Sequence, residues 1–310
     1  MVDGGRIALL RAPNPSAMTL TGTNSYLIDC GGGRAICIDP GPPHLGHVER
    51  LVAYAAERKA RIEFILITHG HPDHAPAAGL LRERTGATIA AHVRSEIPHQ
   101  RSLRDKEVLR VGNVSLAIVD APGHTFDHLV FYEKQERALF TGDVVLGEGT
   151  VVIAPPGGAM RPYQATLQRL ASEFPDARRI YGGHGEPVDD PAAKLAEYIA
   201  HRRFRENELL VALDKRPQSI PELVMSIYAQ TKPILWPAAA RQILAYVLAL
   251  EQEGRVRSTA LDRPLSAQER AILNPDWETI VGAQDARIIE AELGALLRLD
   301  VIRIYELVHA

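Results

Sequence analysis

The chain has only two cysteines, Cys30 and Cys37, among 310 residues. That is too few for a disulfide framework or a four-cysteine zinc site. Both are expected as small hydrophobes in a hairpin. Long apolar runs are also missing. The longest, Ile243 to Leu250, falls far short of the roughly 20 residues that span a bilayer. The opening Met1-Val-Asp-Gly-Gly-Arg6 has no basic start with an apolar core behind it and no small-residue cleavage site. The default expectation is a cytoplasmic, reducing location with no membrane partner. An excess of one charge is lacking as well: 35 basic against 38 acidic residues gives −3. Nucleic acid would therefore have to be held by a local patch. No internal repeat or low-complexity stretch occurs.

What is there is an ordinary globular composition, 46% apolar and 24% charged, at a length that suggests two domains. Residues 1–187 alternate strands and helices. Ser25–Asp29 and Ala35–Asp39 flank Gly31-Gly32-Gly33, a hairpin signal. Val48, Leu51, Val52 and Ala55 have helical spacing. Phe64 to Ile67 reads as a strand buried on both faces, and a helix is expected from about Asp73 to Thr85. Further strands are expected at Thr88–His92, Val114–Val119, Leu129–Glu133, Ala138–Phe140 and Arg179–Tyr181, with a helix at Tyr163–Glu173. Such alternation argues for a layered α/β fold. After Pro187 come three helical segments, Pro191–Leu213, Ile220–Gln230 and Pro237–Glu253. A stop at Gly254 and the basic Arg255-Val-Arg257 follow. Helices followed by a basic strand suggest a winged-helix-like domain over 188–258. Residues 259–310 read as an extension of unknown role, with a helix at about Ala283–Leu299 and a strand at Val301–Leu307.

The strongest signal lies among the 12 histidines. Thr68-His69-Gly70-His71-Pro72-Asp73-His74 follows the apolar run directly. Histidines two apart at a strand end can face the same side. Asp73 and His74 would then project from the first turn of the next helix. Four imidazole and carboxylate ligands in six residues suit one or two ions of zinc, iron or manganese. Further ligands are available in glycine-containing loops: His124 in Pro122-Gly-His-Thr125, Asp143 in Thr141-Gly-Asp143 and His184 in Gly182-Gly-His-Gly185. A lone buried histidine is usually a packed core residue; clusters in this order are not explained that way. His44 and His47 lie near Asp39 and could line a cleft or simply occupy a surface loop. His92, His99, His128, His201 and His309 read as structural or exposed.

His-x-His-x-Asp-His, then a Gly-His loop, a Gly-Asp turn and a Gly-His-Gly loop, resembles the metallo-β-lactamase superfamily over about residues 6–187. Asp39, in Ile38-Asp-Pro-Gly41, looks like the family's first motif, a carboxylate supporting the metal loops from behind. The resemblance implies an αβ/βα sandwich followed by the helical winged-helix-like domain. It also implies two divalent metal ions. One would take His69, His71 and His124, and the other Asp73, His74 and His184, with Asp143 bridging. Thr21-Gly-Thr-Asn-Ser-Tyr26, the Tyr163 helix leading to Tyr181-Gly-Gly-His184, and the C-terminal unit resemble the beta-lactamase-like protein 2 group of the glyoxalase II-like branch. By that resemblance Tyr163 lies on the approach to the metals and contacts substrate.

Two ions about 3.5–4 Å apart hold a bridging water and bring its pKa near neutrality, so the reaction class is hydrolysis by hydroxide. Asp73 is the candidate to orient that hydroxide and receive its proton. The first substrate class is a small ester or thioester, although the basic glutathione-binding motif of true glyoxalase II enzymes is missing. The alternative is single-stranded RNA, which the resembling group cleaves. For RNA, Arg202, Arg203, Arg205, Lys215, Arg216, Arg241, Arg255 and Arg257 offer phosphate contacts, and Phe204, Tyr228 and Trp236 offer stacking. Interleaved Glu206, Glu208, Asp214, Glu251 and Glu253 make a merely solvated face the competing reading. A second alternative is a sulfur dioxygenase with a single iron. The C-terminal unit could also narrow the cleft or form a homodimer face.

Overall fold

The computed structural model describes residues 2–278, 286, 290 and 299–308. The chain divides into two compact units, one of Met1–Val151 with Arg169–Leu195 and one of Val152–Gln168 with Ala196–Ala310. The expected boundaries at 187/188 and 258/259 are therefore revised. A segment of the first half joins the second unit, and the division falls inside a helix.

The first unit holds two sheets. Seven strands form one in sequence order: β1 (Val2–Gly4), β2 (Ile7–Arg11), β3 (Asn24–Gly31), β4 (Arg34–Ile38), β5 (Arg61–Leu66), β6 (Thr88–His92) and β7 (Arg101–Leu103). The second has the order β12-β11-β10-β9-β8, from β8 (Val108–Val111), β9 (Val114–Asp120), β10 (Leu129–Glu133), β11 (Ala138–Gly142) and β12 (Arg179–Gly182). Gly31, Gly32 and Gly33 all take positive φ in the β3–β4 turn, which residues with a Cβ adopt only at a cost.

Alternation along the strands explains the layers. Ile7, Leu9, Tyr26, Ile28, Ile36 and Ile38 face the second sheet and pack with Leu116, Ile118, Leu129, Phe131 and Phe140. Their neighbours Ala8, Leu10, Leu27 and Cys37 face the other way. They pack against Val48, Leu51 and Tyr54 of helix α1 (Leu45–Glu57) and Leu81 of α2 (Ala77–Thr85). Both faces of the first sheet are thus covered, as the period of two requires. The far side of the second sheet meets the end of α3 (Met160–Glu173). There Arg169 donates to the Asp120 carbonyl at 3.1 Å and Phe174 packs on Tyr132. This is the expected αβ/βα sandwich. Strands β4 to β7 run parallel, as do β11 and β12. The loops leaving β4, β5, β9, β11 and β12 therefore gather at one edge, where parallel sheets carry their chemistry.

The α2 expectation is corrected. The helix starts at Ala77 with Pro76 as its N-cap rather than at Asp73. Proline disfavours helical backbone in the residue before it. Residues 71–75 instead form a turn, in which the His74 and Ala75 amides donate to the His71 carbonyl.

In the second unit, α4 (Pro191–Lys215), α5 (Ile220–Ile227), α6 (Trp236–Gln252) and α7 (Ala267–Leu273) accompany a small sheet. That sheet joins β13 (Gln218–Ser219), β14 (Val256–Ala260) and β15 (Arg303–Leu307) in the order β13-β15-β14. Ser219 and Ser266 cap α5 and α7 in reciprocal boxes with Glu222 and Glu269. Residues 259–310 are not a mere appendage, because β15 lies at the centre of this sheet. The helix expected at about 283–299 lies outside the described residues apart from 286, 290 and 299. Pro233–Gln252 is long and apolar enough to cross a membrane by composition, which the count of uninterrupted apolar residues does not show. It is 72% buried within the protein, and Ile243, Leu244, Tyr246, Val247 and Leu250 fill the core. It is a core helix.

Candidate metal centre

Asp39 follows β4 with φ of +48°, an uncommon conformation for a residue with a Cβ. Its carboxylate organises the loop after the neighbouring strand. Oδ1 accepts the Thr68 amide at 2.8 Å, and Oδ2 accepts the Thr68 hydroxyl at 2.7 Å. His74 Nδ1 donates to Oδ2 at 2.9 Å. The Thr68 hydroxyl in turn lies 3.0 Å from His69 Nδ1. With Nδ1 engaged in both rings, Nε2 of His69 and of His74 is left pointing inward, the arrangement that fixes a metal-binding tautomer. Asp39 acts on the centre through these partners.

Two groups of ligands converge. His69 Nε2 and His124 Nε2 each approach His71 Nδ1 at 3.0 Å, and the three residues form one potential metal-binding group. His69 and His71 both lie beyond the end of β5. Loop geometry and the use of opposite ring nitrogens bring them together, rather than strand alternation. The second group is Asp73, His74 and His184. Asp73 Oδ2 lies 3.3 Å from Nε2 of both histidines. Asp143 reaches both groups: Oδ1 is 3.4 Å from His74 Nε2, and Oδ2 is 3.3 Å from His184 Nε2 and 3.9 Å from His124 Nε2. All these residues are buried except His71, which is half-buried and marks the open side.

The His184 loop is tied down by the start of β3. Thr23 pairs with His184 as an isolated bridge, Asn24 Nδ2 donates to the carbonyls of Gly182 and Gly185, and the Tyr26 hydroxyl donates to Gly182 at 2.6 Å. This accounts for the polar Thr-Asn-Ser-Tyr run at the head of a buried strand. Thr23 Oγ1 also donates to Asp73 Oδ2 at 2.7 Å. A Cβ on Gly183 would sit 2.1 Å from Asp143 Oδ1, so no larger residue fits behind the Asp143 carboxylate.

Burial pushes His69 well below its ordinary range, with nearby His74 and His71 adding to the effect. Burial acts the same way on His74 and His184, but Asp73 and Asp143 outweigh it. They hold His74 well above the ordinary range and raise His184 to about 10. The two aspartates are correspondingly held well below theirs, against burial, by the same histidines. His74 Nε2, Asp73 Oδ1 and Asp143 Oδ1 are buried without a hydrogen-bond partner. Unmet atoms of this kind are costly. Inward-facing carboxylate oxygens and imidazole nitrogens fit divalent cations, which would satisfy them together.

The sequence reading missed His128. It is buried, its ring stacks on His69 at 4.7 Å, and its Nε2 accepts the Asp143 amide at 3.1 Å. Its place four residues after His124, just before β10, was the available signal. Tyr163 belongs to the second unit and is fully buried, with the Arg202 guanidinium over its ring at 4.9 Å. It offers no accessible face to a substrate. His47 is buried against the Ser25 hydroxyl at 2.8 Å, and His44 caps α1; neither joins the metal groups.

The candidate phosphate contacts do not form one basic surface. Arg205 pairs with Glu208, Arg216 with Glu222 and Arg257 with Glu306. Arg241 is buried, while Arg202, Arg203 and Arg255 line one cavity. Of the expected stacking residues, Phe204 is 56% exposed. Trp236 is half-buried with its indole N–H on the Thr231 carbonyl, and Tyr228 is half-buried beneath Arg205.

Residues 18–184 match the family model of the metallo-beta-lactamase superfamily, and residues 219–263 match that of the beta-lactamase associated winged helix domain. The chain is 35% identical to the beta-lactamase-like protein 2 homolog of Drosophila melanogaster, over 79% of this chain and 87% of that one. It is 32% identical to the atrochrysone carboxyl ACP thioesterase AgnL7 of Paecilomyces divaricatus, over 68% of this chain and 65% of that one. Among solved structures, it is similar to a metallo-beta-lactamase family protein of Thermus thermophilus. The TM-score is 0.68 at 25% identity, covering 82% of this chain and 96% of that one.

Proposed function

Because the chain belongs to the metallo-β-lactamase superfamily, we propose that it is a dinuclear metal-dependent hydrolase of a small thioester or ester. The observation that carries this reading is the position of Asp143, whose Oδ1 lies by His74 and whose Oδ2 lies by both His184 and His124, so that one carboxylate reaches both groups. Each three-residue group thereby gains a shared ligand. Two divalent ions held there, zinc first with iron or manganese compatible, would supply activated water at neutral pH and polarise the carbonyl under attack.

The chain's own residues divide the remaining work. Asp73, held in place by the Thr23 hydroxyl on Oδ2, would orient the attacking water and accept its proton. Asp39 and Thr68 hold the rings of His69 and His74, so these ligands need no reorganisation. Substrate approaches from the side of half-buried His71. A thioester is favoured because the relatives of similar identity include fungal proteins named as carrier-protein thioesterases. The scattered, paired arginines of the second unit speak against a continuous RNA platform. A single-iron dioxygenase would leave Asp73, His74 and His184 without a role.

The test is release of free thiol from short acyl thioesters by the zinc-loaded protein, with Asp73→Asn prepared identically. Turnover that falls by at least about 100-fold in the variant is expected for loss of a general base. Absence of thioester or ester turnover, with Asp73-dependent cleavage of labelled single-stranded RNA, would replace this reading by the nuclease one.

A further inference from the structure

Asn14 stands in the segment 12–22 that joins β2 to β3, between Pro13 and Pro15. Each proline fixes its own φ, and Pro15 confines the Asn14 backbone to extended conformations. The side chain is therefore mounted on a stiff bracket, which the Thr19 hydroxyl closes from within by donating to the Asn14 carbonyl. We propose that Asn14 is a positioning residue for Asp73, acting through the Thr23 hydroxyl. The proposal rests on the reading of Asp73 as a metal ligand and base, and extends it to a residue one step further out.

The contacts fix their own direction. The Thr23 backbone N–H can only donate, and it meets Asn14 Oδ1 at 2.9 Å. The other end of the amide is then Nδ2, which donates to Thr23 Oγ1 at 2.9 Å. The hydroxyl has a single proton, and this goes to Asp73 Oδ2 at 2.7 Å. Asn14 thus grips Thr23 at the main chain and the side chain together. A β-branched residue is already stiff at χ1, and the double grip holds its hydroxyl on one line. That line ends where the chemistry lies, because Asp73 Oδ2 is also 3.3 Å from Nε2 of His74 and of His184. Thr23 pairs with His184 through the main chain as well, so a tilt of Thr23 moves two ligands of the second group. Thr23 and Asp73 are fully buried while Asn14 is half-buried. The three residues form a polar chain running inward, in surroundings where such chains reinforce one another. The competing account is that Asn14 only closes its own loop, for which the bond to the Thr23 amide suffices.

The test is a double-variant cycle on the zinc affinity of the full chain, read by competition with a chromophoric chelator. Thr23→Val removes the hydroxyl and should weaken zinc by about ten-fold, the usual contribution of a partner behind a metal ligand. Asn14→Ala should weaken it by at least about three-fold while the hydroxyl is present and by nothing further in the Thr23→Val background, as expected within one hydrogen-bond network. Loop closure alone would act equally in both backgrounds. Additive losses, or native affinity in Asn14→Ala, therefore overturn the proposal. Should Asn14→Ala fail to fold, Asn14→Asp decides in the same cycle. It keeps the acceptor for the Thr23 amide but sets a second acceptor against the hydroxyl, which competes with Asp73 for the proton. Its added charge acts in both backgrounds and cancels between them. In the cobalt-substituted protein the absorption bands should shift alike in Asn14→Ala and Thr23→Val and return in Thr23→Ser, which keeps the hydroxyl. Affinity is read without turnover, so the outcome is independent of whether a thioester is hydrolysed.

Discussion

Two regions of this protein concentrate charge, and they handle it in opposite ways. At the sandwich edge, carboxylates and imidazoles are almost fully buried, and several of their polar atoms have no hydrogen-bond partner. In the second unit, the ring of Arg161, Glu206, Arg255 and Glu253 is partly exposed, and its members satisfy one another. A closed ring of opposite charges is complete without a ligand and adds little stability at a surface. A buried cluster with atoms unmet is complete only with one. Incompleteness under burial is therefore the better mark of a metal centre than charge density.

The comparison breaks first at Asp143. Asp143→Asn keeps the shape but replaces one of the two inward oxygens with an amide. The expected outcome is a drop from two bound ions to one or none, read by elemental analysis, with activity reduced by about 1,000-fold or more. Retention of two ions would mean that Asp143 is not the shared ligand.

A smaller effect is expected at His128, which reaches the centre from behind, through the Asp143 amide, the His69 ring and an edge contact with the His124 ring. Its two roles separate by substitution. His128→Phe keeps the ring against His69 and loses the acceptor for the Asp143 amide, whereas His128→Gln keeps an acceptor and loses the ring. Partners behind metal ligands typically contribute 10- to 100-fold in affinity. Metal affinity should fall by about that factor in the Phe variant and be largely restored in the Gln variant. The absorption bands of the cobalt-substituted protein should shift in parallel. Loss in the Gln variant with little in the Phe variant would assign the effect to packing of the ring rather than to the amide contact.

Convergence of the metal-ligand candidates is legible in the sequence because four of them share one short loop and the others sit in glycine-marked turns after apolar runs. Thr23 and His128 are not, for a physical reason. Thr23 acts on Asp73 and His128 on the Asp143 amide through hydrogen bonds to residues distant in sequence, and the spacing of His128 from His124 marks its position without recording those partners. The start of α2 was misplaced because the metal loop uses Asp73 and His74 in a turn that Pro76 ends. The layers follow from period-two burial, but β15 pairs with β13 across more than 80 residues. The two-residue β13 has no periodicity to read. The membrane-like composition of α6 shows the same limit, because it reflects burial within a protein core.

His47 sharpens the comparison from the other side, since it is a buried imidazole outside the metal groups. Its Nε2 meets the Ser25 hydroxyl, and no carboxylate raises it. Burial, with lesser contributions from Arg50 and His44, lowers it to about 4 from the ordinary 6.5. The sign follows directly. The unfolded chain takes up this proton below about pH 6.5, while the folded chain resists until about pH 4. The stabilisation is therefore complete above pH 6.5 and is lost as pH falls toward 4. The shift corresponds to about 3 kcal/mol at most. His47→Gln, neutral throughout, removes the linkage. Denaturant unfolding of both metal-stripped proteins at pH 7 and 4.5 isolates it, because the metal-loop histidines titrate in common. The wild type should lose about 2 kcal/mol more than the variant over that interval. Parallel losses would mean that His47 is hydrated or paired, and that burial without a carboxylate does not by itself set the protonation of a histidine in this fold.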